Sequence, residues 1–347
     1  MSQPWQRELL PLLPEPVRRA LAEISPELAA GLEEIRLRVG RPLAVGSGGQ
    51  ERFLAAEGGV TGEKERAHIV SRADLETAVQ LLFRSSLYAV QEQLRQGYVT
   101  VPGGHRVGFC GTAVVEGGHI VSLNRISSLS YRICREVTGA ADPIMPFLVQ
   151  RNQVKGALLL SPPLGGKTTV LRDAVRQLAD GVPTLAFPGV KVCVVDERSE
   201  IAGCWEGEPQ RYVGLRTDVL DAAPKAEGLM MAVRAMSPQV VATDELGGAV
   251  DAQAVEEALH AGVAVLATAH ASSLQEVRAR PGLAGLLAGR AFACVILLSR
   301  RLGAGTVEAI WGYDGESLLS EPLPPGPWSH TPTGPTISWR QEGTRWV

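Results

Sequence analysis

Lys167, Thr168 and Thr169 follow Gly165-Gly166 inside the segment Ala157 to Arg172, ALLLSPPLGGKTTVLR. A lysine and a hydroxyl directly after paired glycines, at the junction of an apolar run and a helical one, are the residue types that cradle phosphates. Backbone N–H groups of such a turn point at the anion, and the helix N-terminus adds its positive end. Lys167 is then placed to reach the β and γ phosphates, and the Thr168 hydroxyl to ligate Mg²⁺. Pro162 and Pro163 fix the turn, Leu164 carries it on, and Gly165 and Gly166 allow close backbone approach. The expected nucleotide contacts therefore run from Pro162 to Thr169. Ser161 stands where the general phosphate-loop pattern has its first glycine.

Binding phosphate is not hydrolysis, which also needs a metal-holding acid and a group that positions water. Two apolar runs end in acids: Pro238 to Thr243 leads to Asp244-Glu245, and Lys191 to Val195 leads to Asp196-Glu197. Asp244 is the expected Mg²⁺-site acid and Glu245 the water-activating base. Asp196 and Glu197 form a second candidate catalytic element. A third run, Val263 to Thr268, ends in Thr268-Ala269-His270, and His270 is placed to sense the γ-phosphate or to contact a neighbouring subunit.

These residues need a scaffold that brings distant strand ends together. A parallel sheet does so, because all its strands finish on one edge. The candidate strands are 157–160, 191–195, 239–243, 263–268 and 292–298, with 306–311 closing a terminal hairpin and helical spacing between them. Val170, Leu171, Val175 and Leu178 mark the helix after the loop. The expected fold is α/β, with a mostly parallel sheet at residues 150–313. An α+β domain at 1–138 and a linker at 139–149 precede it, and a proline-rich irregular tail at 314–347 follows. Within the first domain the pattern predicts a helix from Pro16 to Glu23. It also predicts a hairpin about Gly40-Arg41, a helix capped by Ser71, a second helix near Ala89, and strands at 98–101, 106–115 and 119–123.

At 347 residues, 45% hydrophobic and 20% charged, the chain has the composition of a globular protein with room for two cores. A net charge of −3 offers no global attraction for nucleic acid, and no basic-aromatic patch is evident. The five cysteines are scattered without a CxxC pair, which fits a reducing compartment and no zinc spacing. No apolar run reaches the roughly 18 residues that span a bilayer. The opening MSQPWQRELLPLLPEP does not read as a signal peptide. The expectation is a cytoplasmic protein, or one held at a membrane face by partners.

Taken in order, SPPLGGKTT, VVDERSE, VVATDE and TAHASS resemble the phosphate loop, acidic box, Mg²⁺-site strand and histidine box of the secretion and pilus-motor ATPases, which have a RecA-like core. The phrases GGHRVGFCGTAVVEGG, ISSLSYRICREVTG, DERSEIAG and RTDVLDAAPKAEGLMMAVRAMSP are more specific. With the loop and TAHASS they cover most of residues 97–275 and resemble the stage III sporulation protein AA family. That resemblance implies a hexameric ATPase using ATP and Mg²⁺. It would work with membrane proteins of a channel between mother cell and forespore, with no nucleic acid expected. Asp244-Glu245 departs from the Gly-Glu of many secretion motors. In such rings arginines complete the site, and Arg106, Arg125, Arg132, Arg216 and Arg234 are candidates. Arg216 is expected to act in catalysis, Arg106 and Arg132 on the nucleotide. Two other readings are open: a nucleic-acid-stimulated ATPase of RecA-like fold, and a scaffold that binds ATP only to assemble.

Overall fold

The computed structural model describes residues 3–83, 97–319 and 321–326. The chain divides into two compact units, Met1–Cys134 with Gly203–Arg211, and Arg135–Ala202 with Tyr212–Val347.

The first unit is built on a seven-stranded antiparallel sheet in the order β4-β3-β2-β1-β7-β6-β5. Its strands are β1 (Leu32–Arg38), β2 (Ala44–Ser47), β3 (Gln50–Leu54), β4 (Val60–Thr61), β5 (Tyr98–Val101), β6 (His105–Glu116) and β7 (His119–Arg132). Alternation sets the inward face: Ile35 pairs with Tyr131 and Leu37 with Leu129, and all four are buried. Short helices at Pro4–Leu9, Glu15–Ala22 and Pro26–Gly31 lay Leu9, Leu21 and Leu28 on that face. Helix Arg72–Leu82 starts where expected: the Ser71 hydroxyl accepts the Asp74 N–H at 3.0 Å, and Asp74 accepts the Ser71 N–H at 2.9 Å. The helix expected near Ala89 lies outside the described residues. Strand β7 runs nine residues past the expected Leu123 to Arg132. Its second half, NRISSLSYR, is polar on one face and was not readable as strand until flanked by β6 and β1.

The second unit carries a small ribbon, β8 (Val149–Gln150) with β9 (Gln153–Val154), and a seven-stranded sheet in the order β12-β11-β13-β14-β10-β15-β16. Those strands are β10 (Ala157–Ser161), β11 (Val192–Asp196), β12 (Thr217–Asp221), β13 (Val240–Thr243), β14 (Ala264–His270), β15 (Cys294–Ser299) and β16 (Thr306–Gly312). All neighbours are parallel except β15 and β16. β10 is buried along its whole length, as are β11 and β13. This is what a sheet covered on both faces requires.

Three expectations change. Arg216 lies in a turn, and the edge strand β12 that follows it was not expected, because TDVLD holds only Val219 and Leu220 between polar residues instead of an apolar run. The expected linker at 139–149 is packed: Ala140, Ala141, Ile144 and Leu148 are buried, and the Ala141 N–H donates to Asp173 at 2.8 Å. The start of the expected irregular tail follows β16, with Val307 and Leu323 exchanging hydrogen bonds of 3.0 and 2.9 Å. Its residues 327–347 lie outside the described set.

Candidate active site

Because β10, β11, β13 and β14 are parallel, Ser161, Asp196, Asp244 and His270 all stand at one edge, with Ser161 opposite His270. The loop Pro162–Gly166 leaves β10 there and enters helix Lys167–Asp180. Pro162, Pro163 and Leu164 form its exposed crown, Leu164 at a φ of +62°. Gly166 has a φ of +92°, and a Cβ on it would come within 2.8 Å of the Gly305 nitrogen. Only glycine fits there. Gly165 is equally confined, since a Cβ would lie 2.7 Å from Ser161. Ser161 turns its hydroxyl back to the Pro162 carbonyl at 2.7 Å, so it braces the loop that a glycine opens in the general pattern. Thr169 lies one position beyond Thr168 on the first helical turn, half-buried.

Lys167 is 8% exposed, an unusual place for an ammonium. Its Nζ lies 3.2 Å from Glu245 Oε1 and 3.4 Å from His270 Nε2, while His270 Nε2 is 2.8 Å from the same Glu245 oxygen. One residue on, the Thr168 hydroxyl donates to Asp244 Oδ2 at 2.8 Å. Asp244 Oδ1 accepts from the Thr268 hydroxyl and from the Glu245 N–H. That N–H also lies 2.9 Å from Thr268 Oγ1, which fixes Glu245 at a φ of +52°, a left-handed conformation costing about 1–2 kcal/mol in a residue with a side chain. Burial pushes the Glu245 carboxyl up, but the bond and charge of Lys167, joined by His270, outweigh it and hold the group below its ordinary value. The base candidate is thus ionised near neutrality and pre-aimed.

The second acidic pair divides its work. Asp196 is 1% exposed and accepts the N–H groups of Glu200, Ile201 and Ala202 at 2.8, 2.9 and 2.8 Å. Burial raises its pKa against those bonds. Its carboxylate knots the loop after β11 through these three bonds, at the strand end where the sequence suggested a catalytic element. Glu197 is exposed and accepts from Lys225 Nζ at 2.9 Å. Lys225 and Arg198, whose Nη1 lies 3.2 Å from Glu245 Oε2, were not singled out by sequence. Lys225 carried a signal: a cation in the first turn of helix Lys225–Met236 opposes the helix dipole, which calls for a specific acidic partner. A cavity of about 50 Å³ is lined by Asp196, Glu197, Arg198, Glu200, Lys225, Asp244 and Glu245. A larger groove of about 690 Å³, along Met230, Met231 and Val250, involves none of these groups.

Arg216 Nη1 donates to the Ala179 carbonyl at 2.7 Å, at the C-terminal end of helix Lys167–Asp180. At 1.5 Å per residue that end lies about 20 Å from the loop, so Arg216 does not reach its own chain's phosphate site. Arg106 and Arg132 belong to the first unit, directly opposite one another on β6 and β7, with Arg106 4.7 Å above the Tyr98 ring. Arg125, also on β7, has a φ of +45°, and Arg234 lies in the last turn of helix Lys225–Met236.

The residues present fit Mg²⁺ with a nucleotide: a hydroxyl and a carboxylate 2.8 Å apart at the helix start are hard oxygen donors, and magnesium takes its remaining ligands from phosphates and water.

The family model for sporulation stage III, protein AA matches residues 3–318. Stage III sporulation protein AA of Bacillus subtilis (strain 168) is 43% identical over 311 residues, covering 90% of this chain and 96% of that protein. Among solved structures, the pilus retraction motor PilT with bound ADP superposes with a TM-score of 0.51 at 15% identity, over 78% of this chain and 75% of that one. The Legionella pneumophila ATPase DotB gives 0.50 at 16% identity, over 78% and 73%. At such identities the likeness carries the fold, a RecA-like core behind an N-terminal sheet domain.

Proposed function

The chain belongs to the stage III sporulation protein AA family, and from that premise we propose that it is a Mg²⁺-dependent ATPase working as a ring-shaped motor, a hexamer by family resemblance. The observation that carries this reading is the convergence of Lys167 on Glu245 and Thr168 on Asp244, across 78 and 76 residues of sequence. A binding scaffold needs the first member of each pair; it has no use for a pre-aimed, ionised Glu245 beside it.

Each group has a task. Backbone N–H groups of Leu164, Gly166 and the helix start hold the phosphates, and Lys167 gives up Glu245 for the β and γ phosphates. Thr168 and Asp244 would hold Mg²⁺, which when bound neutralises charge that develops on the phosphates. Glu245 accepts the proton of the attacking water. His270, on the adjacent strand end and in contact with both Lys167 and Glu245, reports whether the γ-phosphate is present. Glu197 supports the edge through Lys225.

Arg216 supports the ring. Tied to the far end of its own loop helix, it can serve only a neighbouring copy, with Arg106 and Arg132 as the first-unit candidates for completing a shared site. Among the described residues no helix is long and apolar enough to cross a membrane. A motor of this kind acts from the cytoplasmic face on membrane proteins of a secretion-like complex.

The test is Mg²⁺-dependent ATP hydrolysis per subunit over a wide protein concentration range. Turnover is expected to rise steeply with concentration and to fall about 10²-fold or more in Lys167→Ala, the scale of losing one transition-state donor. Turnover indifferent to the mutation would remove the site assignment, and turnover independent of concentration would remove the shared site.

A further inference from the structure

Glu245 is held from two sides. Oε1 is shared by Lys167 Nζ and His270 Nε2, and Oε2 is met by Arg198 Nη1 at 3.2 Å. The two cations differ in place: the Lys167 side chain is 9% exposed, and that of Arg198 is 64% exposed on the rim. Lys167 is the one a triphosphate claims. Once it leaves, the carboxylate faces an incoming polyanion with its strongest partner gone, and repulsion would turn it aside.

Arg198 is placed to prevent that. Its loop is anchored on both sides: Asp196 fixes the N–H groups of Glu200, Ile201 and Ala202, Ser199 donates to Asp221 at 2.6 Å, and Glu197 is bound by Lys225. A guanidinium on so constrained a loop is presented to Glu245; an ordinary surface arginine would only visit it. Arg198 also shares with Glu245 and Asp244 the wall of the 50 Å³ cavity. We infer that Arg198 is a positioning residue for hydrolysis: it keeps Glu245 anchored through Oε2 after Lys167 has moved to the phosphates, so that Oε1 remains aimed at the attacking water. This rests on the ATPase reading above.

An exposed ion pair contributes little to stability, so the effect belongs in kcat. Arg198→Ala is expected to lower kcat about 10- to 100-fold, the scale of a small misplacement of a reacting group, with KM for ATP within about twofold and the melting temperature unchanged. Arg198→Lys, which keeps the charge, should recover most of the loss. In a Glu245→Gln background Arg198→Ala should have no further effect, because a residue acting through another is silent once that other is gone. An unchanged kcat in Arg198→Ala overturns the inference. So does a raised KM with kcat preserved, or a loss that adds to that of Glu245→Gln. Wild-type protein that binds ATP without turning it over brings down the ATPase reading and this role together. Wild-type turnover with an indifferent Arg198→Ala removes this role alone.

Discussion

Among the described residues, two Glu–His pairs have the same length. His270 Nε2 lies 2.8 Å from Glu245 Oε1 at the parallel-sheet edge, and His105 Nε2 lies 2.8 Å from Glu8 Oε2 in the first unit. Their surroundings are opposite. The His105 ring is 2% exposed and its Nδ1 accepts the Cys134 N–H at 3.0 Å, so both nitrogens are used. The His270 side chain is 41% exposed, and its Nδ1 has no hydrogen-bond partner. Glu8 answers a histidine and the charges of Arg211 and Arg7 without a bond to either arginine, whereas Glu245 answers a buried lysine, a histidine and an arginine at hydrogen-bond distance. The same pair is suited to fasten a fold when it is sealed and complete. It is suited to chemistry when it stays open and holds a cation that a ligand can take away.

The sharpest way to break this contrast is to remove the charge from each carboxylate. Glu245→Gln is expected to lower kcat by about 10²- to 10⁴-fold, the range of general-base losses, with no fall in melting temperature. Glu8→Gln is expected to leave kcat within about twofold and to lower the melting temperature. Steady-state kinetics and calorimetry on the two variants read both effects. A large kcat loss in Glu8→Gln would place the buried pair in the mechanism and dissolve the distinction.

Truncating the histidines sharpens it from the other side. His105→Ala removes a buried ring and strands Glu8, so unfolding should cost about 2–4 kcal/mol less, as for other large-to-small changes in a core. His270→Ala, at an exposed rim, should stay within about 0.5 kcal/mol of wild type while reducing turnover. Urea unfolding separates the two. Equal destabilisation would mean that the His270 contact is also structural.

The same contrast explains what was legible in the sequence. The candidate edge could be read because each of its residues terminates an apolar run, LLL before the loop, VCVV before Asp196, VVAT before Asp244 and VLATA before His270, and a parallel sheet aligns run ends without further information. Glu245, Lys167, Thr168 and Asp244 follow from that rule. The role of Asp196 does not, because an acid at a strand end looks the same whether it faces solvent or folds back on three N–H groups of its own loop. Arg198 was hidden by standing beside two acids, where an arginine reads as local charge balance; its real partner is 47 residues away. The first unit was less readable, since its antiparallel strands scatter their ends. The association of 203–211 with it rests on contacts such as Gly103 N–H to Gln210 at 3.1 Å, which no local pattern announces.

The smallest expected effect is a pH dependence confined to the sealed pair. Burial pulls the His105 pKa down, the Glu8 bond pulls it up, and the Arg211 charge pulls it down again, leaving it below the ordinary 6.5. A histidine that resists protonation in the folded state is stabilising to full extent only above its unfolded value. That stability is lost as pH falls from 6.5 toward the folded value, because there the unfolded chain binds more protons. Glu8 acts in the same sense lower down: burial raises its pKa, His105 and the arginines more than offset this, and it lies below 4.5. Its contribution is present above 4.5 and declines as pH falls through its folded value. Between about pH 6.5 and 4.5 the slope therefore belongs to His105. Hydrogen exchange of β1 and β7 amides, corrected for the intrinsic pH dependence of exchange, should show protection decreasing across that window. In His105→Gln, which cannot titrate, that slope should vanish. If it persists there, the acid sensitivity comes from elsewhere in the unit, and the buried pair is a packing element with no role in the response to acid.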